Sequence, residues 1–172
     1  MFSRREKRKT DLRPTSTGVT PTLLHSVDDL RSTELRQLCQ SWSNLRRERR
    51  LPDYGEFDIF DFRYIVGRLN IMEVERDPWR FRYRVHSAEA ARSIGKDMTG
   101  SYVDDYPADY FRERVQDFFQ QAAQRAEPSI GIEAKVPLNH ILVRWEAVAV
   151  PFGTADGSVT HLAVGFSSSR LG

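Results

Sequence analysis

The stretch LNIMEVERDPWRFRYRVH (Leu69–His86) decides the fold. Its second half alternates strictly: Trp79, Phe81, Tyr83 and Val85 point one way, and Arg80, Arg82, Arg84 and His86 the other. A period of two predicts a strand with one buried face. Leu69–Glu75 is a second strand candidate, and Asp77-Pro78 sets a turn between the two. Strands joined by so short a turn form an antiparallel hairpin. Glu73 and Glu75 then share a face with Arg80, Arg82 and Arg84, which predicts a solvated, salt-bridged row; an anion-binding row is the sharper alternative.

Downstream of the hairpin, Ser87–Ile94 predicts a short helix ended by Gly95. After a loop comes a longer helix over about Pro107–Ala126, with Phe111, Val115, Phe118, Phe119, Ala122 and Ala126 on one buried face. Asp104-Asp105 suits helix capping before Pro107. Three strands follow, at Ser129–Val136, His140–Pro151 and Val159–Ser167. Pro137-Leu138-Asn139 predicts a tight turn that sets Ala134 opposite Val143 and Glu133 opposite Arg144. Ala147-Val148-Ala149-Val150 is apolar on both faces, so both sides of the sheet must be covered.

Upstream, Val27, Leu30, Leu35, Leu38, Cys39, Trp42 and Leu45 form an apolar stripe that predicts a helix from Val27 to Arg49, capped by Ser26 with Asp29. This helix is left to cover the second sheet face, in its own chain or in a partner's. Arg46, Arg47, Arg49 and Arg50 crowd its last turn, where positive charge suits the helix dipole, and Leu51-Pro52 stops it. Residues 53–66 are aromatic-rich and predict a loop with a short helix at the domain edge.

The chain has 172 residues, 40% hydrophobic and 29% charged, with a net charge of +2. That is the size of one domain and excludes collagen, coiled coil and wholly disordered classes. Residues 1–13 hold six basic and two acidic residues, so the remainder is mildly acidic. A Thr/Ser/Pro/Gly-rich stretch follows, and 1–24 is expected to be a disordered basic tail. The longest uncharged stretches, Pro14–Val27 and Gly157–Ser169, fall short of the ~18–20 residues of a membrane span. A single cysteine, Cys39, excludes an internal disulfide and a thiolate metal cage. No apolar run follows the basic start, so a cytoplasmic chain is expected.

The order helix, strand, strand, short helices, long helix and three strands is that of a PAS domain. The wording of RRLPDYGEFDIFDFRYIVGRLNIMEVE (Arg49–Glu75) and RFRYRVHSAEAARSIGKDMTGSYVDDYP (Arg80–Pro107) resembles the PAS-like single-domain proteins common in alphaproteobacteria. The shared features are an aromatic/Arg strand leading into a Gly-x-x-x-Thr-Gly loop, here Gly95–Gly100. One departure is Ser87-Ala88, where that family often carries Gly-Thr. The resemblance implies an α+β fold: a PAS-like five-stranded antiparallel sheet with helices on one face and the N-terminal helix on the other. It divides the chain into a tail (1–24), an N-terminal helix (25–52) and a PAS-like domain (53–172).

Most chemistry is disfavoured by residue type. A flavin adduct needs a cysteine in the central helical insertion, and Cys39 precedes the sheet. Haem needs an axial ligand, usually His on the long helix, and residues 107–126 contain none. His25, His86, His140 and His161 lie in the leader or in strands, isolated from other ligands, so a metal site is not supported. Gly95–Gly100 has P-loop spacing, but Ser101 stands where the lysine belongs. No Gly-x-Ser-x-Gly elbow occurs.

A pocket is the remaining candidate. Phe81, Tyr83, Phe111, Phe118 and Trp145 are expected to converge between sheet and long helix, as walls for a planar or fatty ligand or as a filled core. Leu35, Leu38, Trp42 and Leu45 are expected as a homodimer contact. The expected function is a non-catalytic PAS-type sensory module acting through dimerisation or a signalling partner protein. The ligand remains open. A small enzyme or carrier with a cone-like cavity, and a nucleic-acid-associated protein using the basic tail, are the alternatives.

Overall fold

The computed structural model describes residues 22–24, 26–106, 109–135 and 142–171. Its strands are β1 (Thr22–Leu24), β2 (Leu69–Glu75), β3 (Arg80–Val85), β4 (Ser129–Lys135), β5 (Val143–Gly153) and β6 (Val159–Arg170). Its α-helices are α1 (Thr33–Arg46), α2 (Ala88–Ile94) and α3 (Asp109–Arg125). All pairings are antiparallel, in one sheet ordered β1-β4-β5-β6-β2-β3. Strands β2 to β6 form the expected PAS-like five-stranded arrangement, with α3 on one face and α1 on the other.

The sixth strand is a correction. Thr22–Leu24, expected as the end of a disordered tail, pair with Ile130–Ile132 along the outer edge of β4. The opposite edge is covered as well. Tyr83 N donates to Ser101 O at 2.9 Å and Gly100 N to Tyr83 O at 2.7 Å, so residues 100–102 lie along β3.

Helix α1 starts later and ends earlier than its apolar stripe predicts. Ser26 caps only a 3-10 turn at Val27–Asp29, and Ser32 caps α1 by accepting from Leu35 N. Between the two, Arg31 and Ser32 turn their N–H groups to Glu146 instead of to a helix. At the other end Arg47 adopts φ 55° and stops the helix. The stripe itself is buried as expected, with Leu35 and Leu38 fully enclosed. They press on Gly165, where an added Cβ would lie 2.8 Å from Leu38 and 2.9 Å from Leu35. A side chain there would hold the helix off the sheet.

Two attachments tie α1 to one strand. Ser32 meets Glu146 on β5, and the Trp42 indole N–H donates to Pro151 O on the same strand. Ten helical residues rise ~15 Å, and five strand residues span ~16 Å. The two spacings match, so α1 runs alongside β5.

Two registers differ from expectation. Glu133 faces Trp145 and Ala134 faces Arg144, one residue away from the sequence-based pairing. Lys135 pairs with Val143, leaving seven residues between them, an odd number that a two-residue turn cannot close. The expected turn at Pro137–Asn139 lies outside the described residues, as does Pro107. In β3 a register shift falls between Ile71↔Val85 and Met72↔Tyr83. The bulge inverts the alternation at the strand end, so Val85 is exposed and His86 is buried.

Asp104 and Asp105 lie in a 3-10 turn (Val103–Asp105), and the helix start they were expected to cap lies outside the described residues. Asp105 accepts from Tyr102 N at 3.0 Å, and Asp104 pairs with Arg80 at 2.8 Å. Gly95 ends α2 with φ 73°, a left-handed position that an L side chain occupies only at a cost.

Candidate functional site

The candidate site is the layer between the sheet and α3. Strand alternation dictates which residues enter it. Register places Phe81 and Tyr83 of β3 on the same face as Met72, and Met72 beside Leu162. Along β5 the same face carries Trp145, Ala147 and Ala149, and along β4 it carries Ser129, Gly131 and Glu133. Small residues in the centre let α3 approach: the Phe118 ring lies 3.4 Å from where a Gly131 Cβ would stand.

The five expected pocket residues divide into groups. Phe81 meets Phe119 edge-to-face at 5.5 Å, and Phe119 meets Phe118 at 6.0 Å. Trp145 instead stacks on Phe166 at 5.1 Å, and Phe111 stacks on Tyr106 at 4.3 Å. Tyr83 is buried, with its ring edge toward His86. Phe81, Tyr83 and Phe118 therefore share one aromatic wall, whereas Trp145 and Phe111 have partners of their own.

The polar groups of this layer were not among the expected site residues. Gln116 lies on the α3 face that also carries Phe119 and Ala123, three and seven residues on. Its Nε2 donates to Trp79 O at 2.8 Å, and its Oε1 is buried with no hydrogen-bond partner. Ser129, 5% exposed, also has a buried Oγ without a partner. Asn70 Oδ1 accepts from Ser87 N at 2.8 Å. Arg114 of α3 pairs with Glu133 of β4. Burial raises the pKa of both Tyr83 and Tyr106, which keeps these phenols protonated. No signal in the sequence marks Gln116, which stands between Arg112 and Gln120 at helical spacing.

The histidines have structural partners. His86 Nδ1 accepts from Met98 N at 3.1 Å and lies 3.7 Å from the Asp97 carboxylate. Burial lowers its pKa, and Asp97 opposes that effect only in part. His161, on the α1 face, stacks on Tyr54 with ring centroids 3.5 Å apart. His25 and His140 lie outside the described residues. The arginine row is salt-bridged: Arg80 to Asp104, and Arg82 and Arg84 both to Glu73.

The residues expected at a dimer contact turn toward the chain's own sheet. Leu35, Leu38 and Trp42 are buried against the chain's own sheet, and Leu45 is half-buried beside them. Cys39 is enclosed in the same layer, where burial pushes its thiol up to about 11. At the C-terminal end of α1, Arg49 pairs with Glu56, and Arg46 lies over the Trp42 ring. No group of three or more metal-ligating side chains occurs among the described residues. None of the described helices is long and apolar enough to cross a membrane.

No family model matches the chain, and no curated protein matches it. Among solved structures, the chain is similar to one described as "Structure of an RNA-binding Light-Oxygen-Voltage Receptor", at 13% identity and a TM-score of 0.40. The match covers 70% of this chain and 35% of that one, so the chain spans about a third of that protein's length.

Proposed function

We propose that the protein is a non-catalytic sensory module of PAS type that holds a small molecule between its sheet and α3 and signals through another protein. Gln116 Oε1 carries this reading. A buried polar atom without a partner costs about 1–3 kcal/mol, and native interiors rarely tolerate one without a reason. Here Gln116 Oε1 is such an atom beside the Phe81–Phe119 wall, on the β3 side of α3, and Ser129 Oγ is a second one, on β4. A bound molecule with a polar group beside Gln116 satisfies the first and recovers its cost.

Occupancy can reach the molecular surface through β5. Its inward residues Trp145, Ala147 and Ala149 line the layer, and its Glu146 side chain and Pro151 carbonyl hold α1. A ligand that shifts β5 therefore shifts the support of α1, and with it the surface presented to a partner. Non-denaturing mass spectrometry of the protein as purified tests the reading. A co-purified small molecule that is lost in the Gln116→Leu variant supports it. A chain at its bare mass, with no small molecule from a metabolite extract retained, refutes it.

A further inference from the structure

We infer that the ligand of this layer is an uncharged molecule that donates an N–H or O–H hydrogen bond to Gln116 Oε1. The inference rests on the sensory reading above and adds the chemistry of what is sensed. The direction of the bond follows from the Gln116 amide. Its Nε2 is engaged by Trp79 O at 2.8 Å. Reversing the amide would set two oxygens against each other, so this contact fixes which atom is left over. That atom, Oε1, is buried and unpartnered, and a carboxamide oxygen can only accept. Its complement is a donor. Ser129 Oγ both donates and accepts, so it sets no second condition.

The charge follows from the surroundings. The Arg114 guanidinium of α3 is engaged by Glu133 of β4, so this pair is already mutually compensated. The same desolvation that holds Tyr83 and Tyr106 protonated opposes a charge on a bound molecule. The shape follows from the walls. The edge-to-face contact of Phe81 with Phe119, one turn along α3 from Gln116, suits a flat apolar body. Together these describe a neutral aromatic with one donor, of the indole or phenol class.

The test uses the full chain and four probes: indole and 2-naphthol as neutral donors, benzofuran as the indole shape without its N–H, and 2-naphthoate as an anion. Binding is read by calorimetry and by thermal shift, for wild type and for Gln116→Met, which keeps the side-chain length and removes the acceptor. Indole is expected to bind wild type about tenfold or more tighter than benzofuran, as one buried hydrogen bond implies. The preference disappears in Gln116→Met, and 2-naphthoate does not bind. Equal binding of indole and benzofuran, or binding of 2-naphthoate at the strength of 2-naphthol, overturns the inference and leaves a ligand-binding layer standing. Failure of all four probes, together with a bare mass in the non-denaturing spectrum, overturns both. The comparison of indole with benzofuran on wild type decides the matter even where the variant does not fold.

Discussion

Glu146 Oε2 accepts the Ser32 N–H at 2.9 Å, so a carboxylate in the middle of β5 terminates the helix that covers the sheet. Arg31 N donates to the same group at 2.9 Å and Arg144 Nε at 2.7 Å. Burial alone would raise the carboxyl's pKa, but the Ser32 N–H and the Arg144 guanidinium outweigh it and hold it below its ordinary value. The sign is that of a depressed acid. Its stabilisation is present above the unfolded value near 4.5 and is lost as pH falls through the lower folded value. Glu146→Ala, which takes the carboxylate from Arg144 and the acceptor from two N–H groups, is expected to cost about 3 kcal/mol. Urea denaturation at pH 7 measures the loss. A variant within 0.5 kcal/mol of wild type, roughly the scatter of neutral surface changes, would show that the carboxylate does not anchor α1.

Trp42 distinguishes a core helix from a dimer helix. Its ring is 6% exposed and its indole N–H is bonded to Pro151 O. Trp42→Ala is therefore expected to cost about 3–5 kcal/mol whatever the protein concentration. If α1 were instead an interface, the same substitution would leave a folded monomer. Denaturation midpoints at two concentrations a hundredfold apart, read beside a sizing column, separate the two.

Much of this architecture is legible in the sequence because it rests on short-range periodicity. The alternation of Trp79–Tyr83 and the stripe Leu35–Leu38–Trp42 each place a buried face without knowledge of the partner. Ala147–Val150, apolar on both sides, correctly demanded two coverings. What was not legible depends on pairing across the chain. The bulge that exposes Val85 and buries His86 exists only because β2 is opposite. The one-residue shift of Glu133 depends on a connection of odd length. The start of α1 is set by Glu146, over a hundred residues away. In the candidate site, aromatic walls could be named from periodicity, but orphaned acceptors such as Gln116 Oε1 are defined by contacts that no local pattern encodes.

Gly165 sets the distance between α1 and the sheet. An added Cβ would come within 2.8 Å of Leu38, 2.9 Å of Leu35 and 3.0 Å of Ile65. Overpacking of this kind costs about 1–3 kcal/mol. Gly165→Ala is expected to fall in that range. In the Leu38→Ala background the added methyl fills part of the space it previously invaded, so its own cost should shrink. A double-mutant cycle by urea denaturation measures the coupling. Strictly additive costs would show that α1 does not rest on Gly165.

His86 gives the fold a pH dependence of its own. Its Nδ1 accepts the Met98 N–H, which holds the 95–100 loop to the end of β3. Protonation would replace that acceptor with a donor facing a donor. Burial lowers the folded pKa below the ordinary 6.5, against the partial opposition of Asp97. The unfolded chain therefore takes up the proton first, and the contribution to stability is full above pH 6.5 and declines as pH falls toward the folded value. His161 is also lowered by burial and adds to the same trend. His86→Gln offers Met98 an acceptor that does not titrate. Its unfolding free energy should fall less than that of wild type between pH 7.5 and 5.5, while His161→Gln reports the other share. An unchanged pH slope in His86→Gln would mean that this imidazole does not hold the loop through its neutral form.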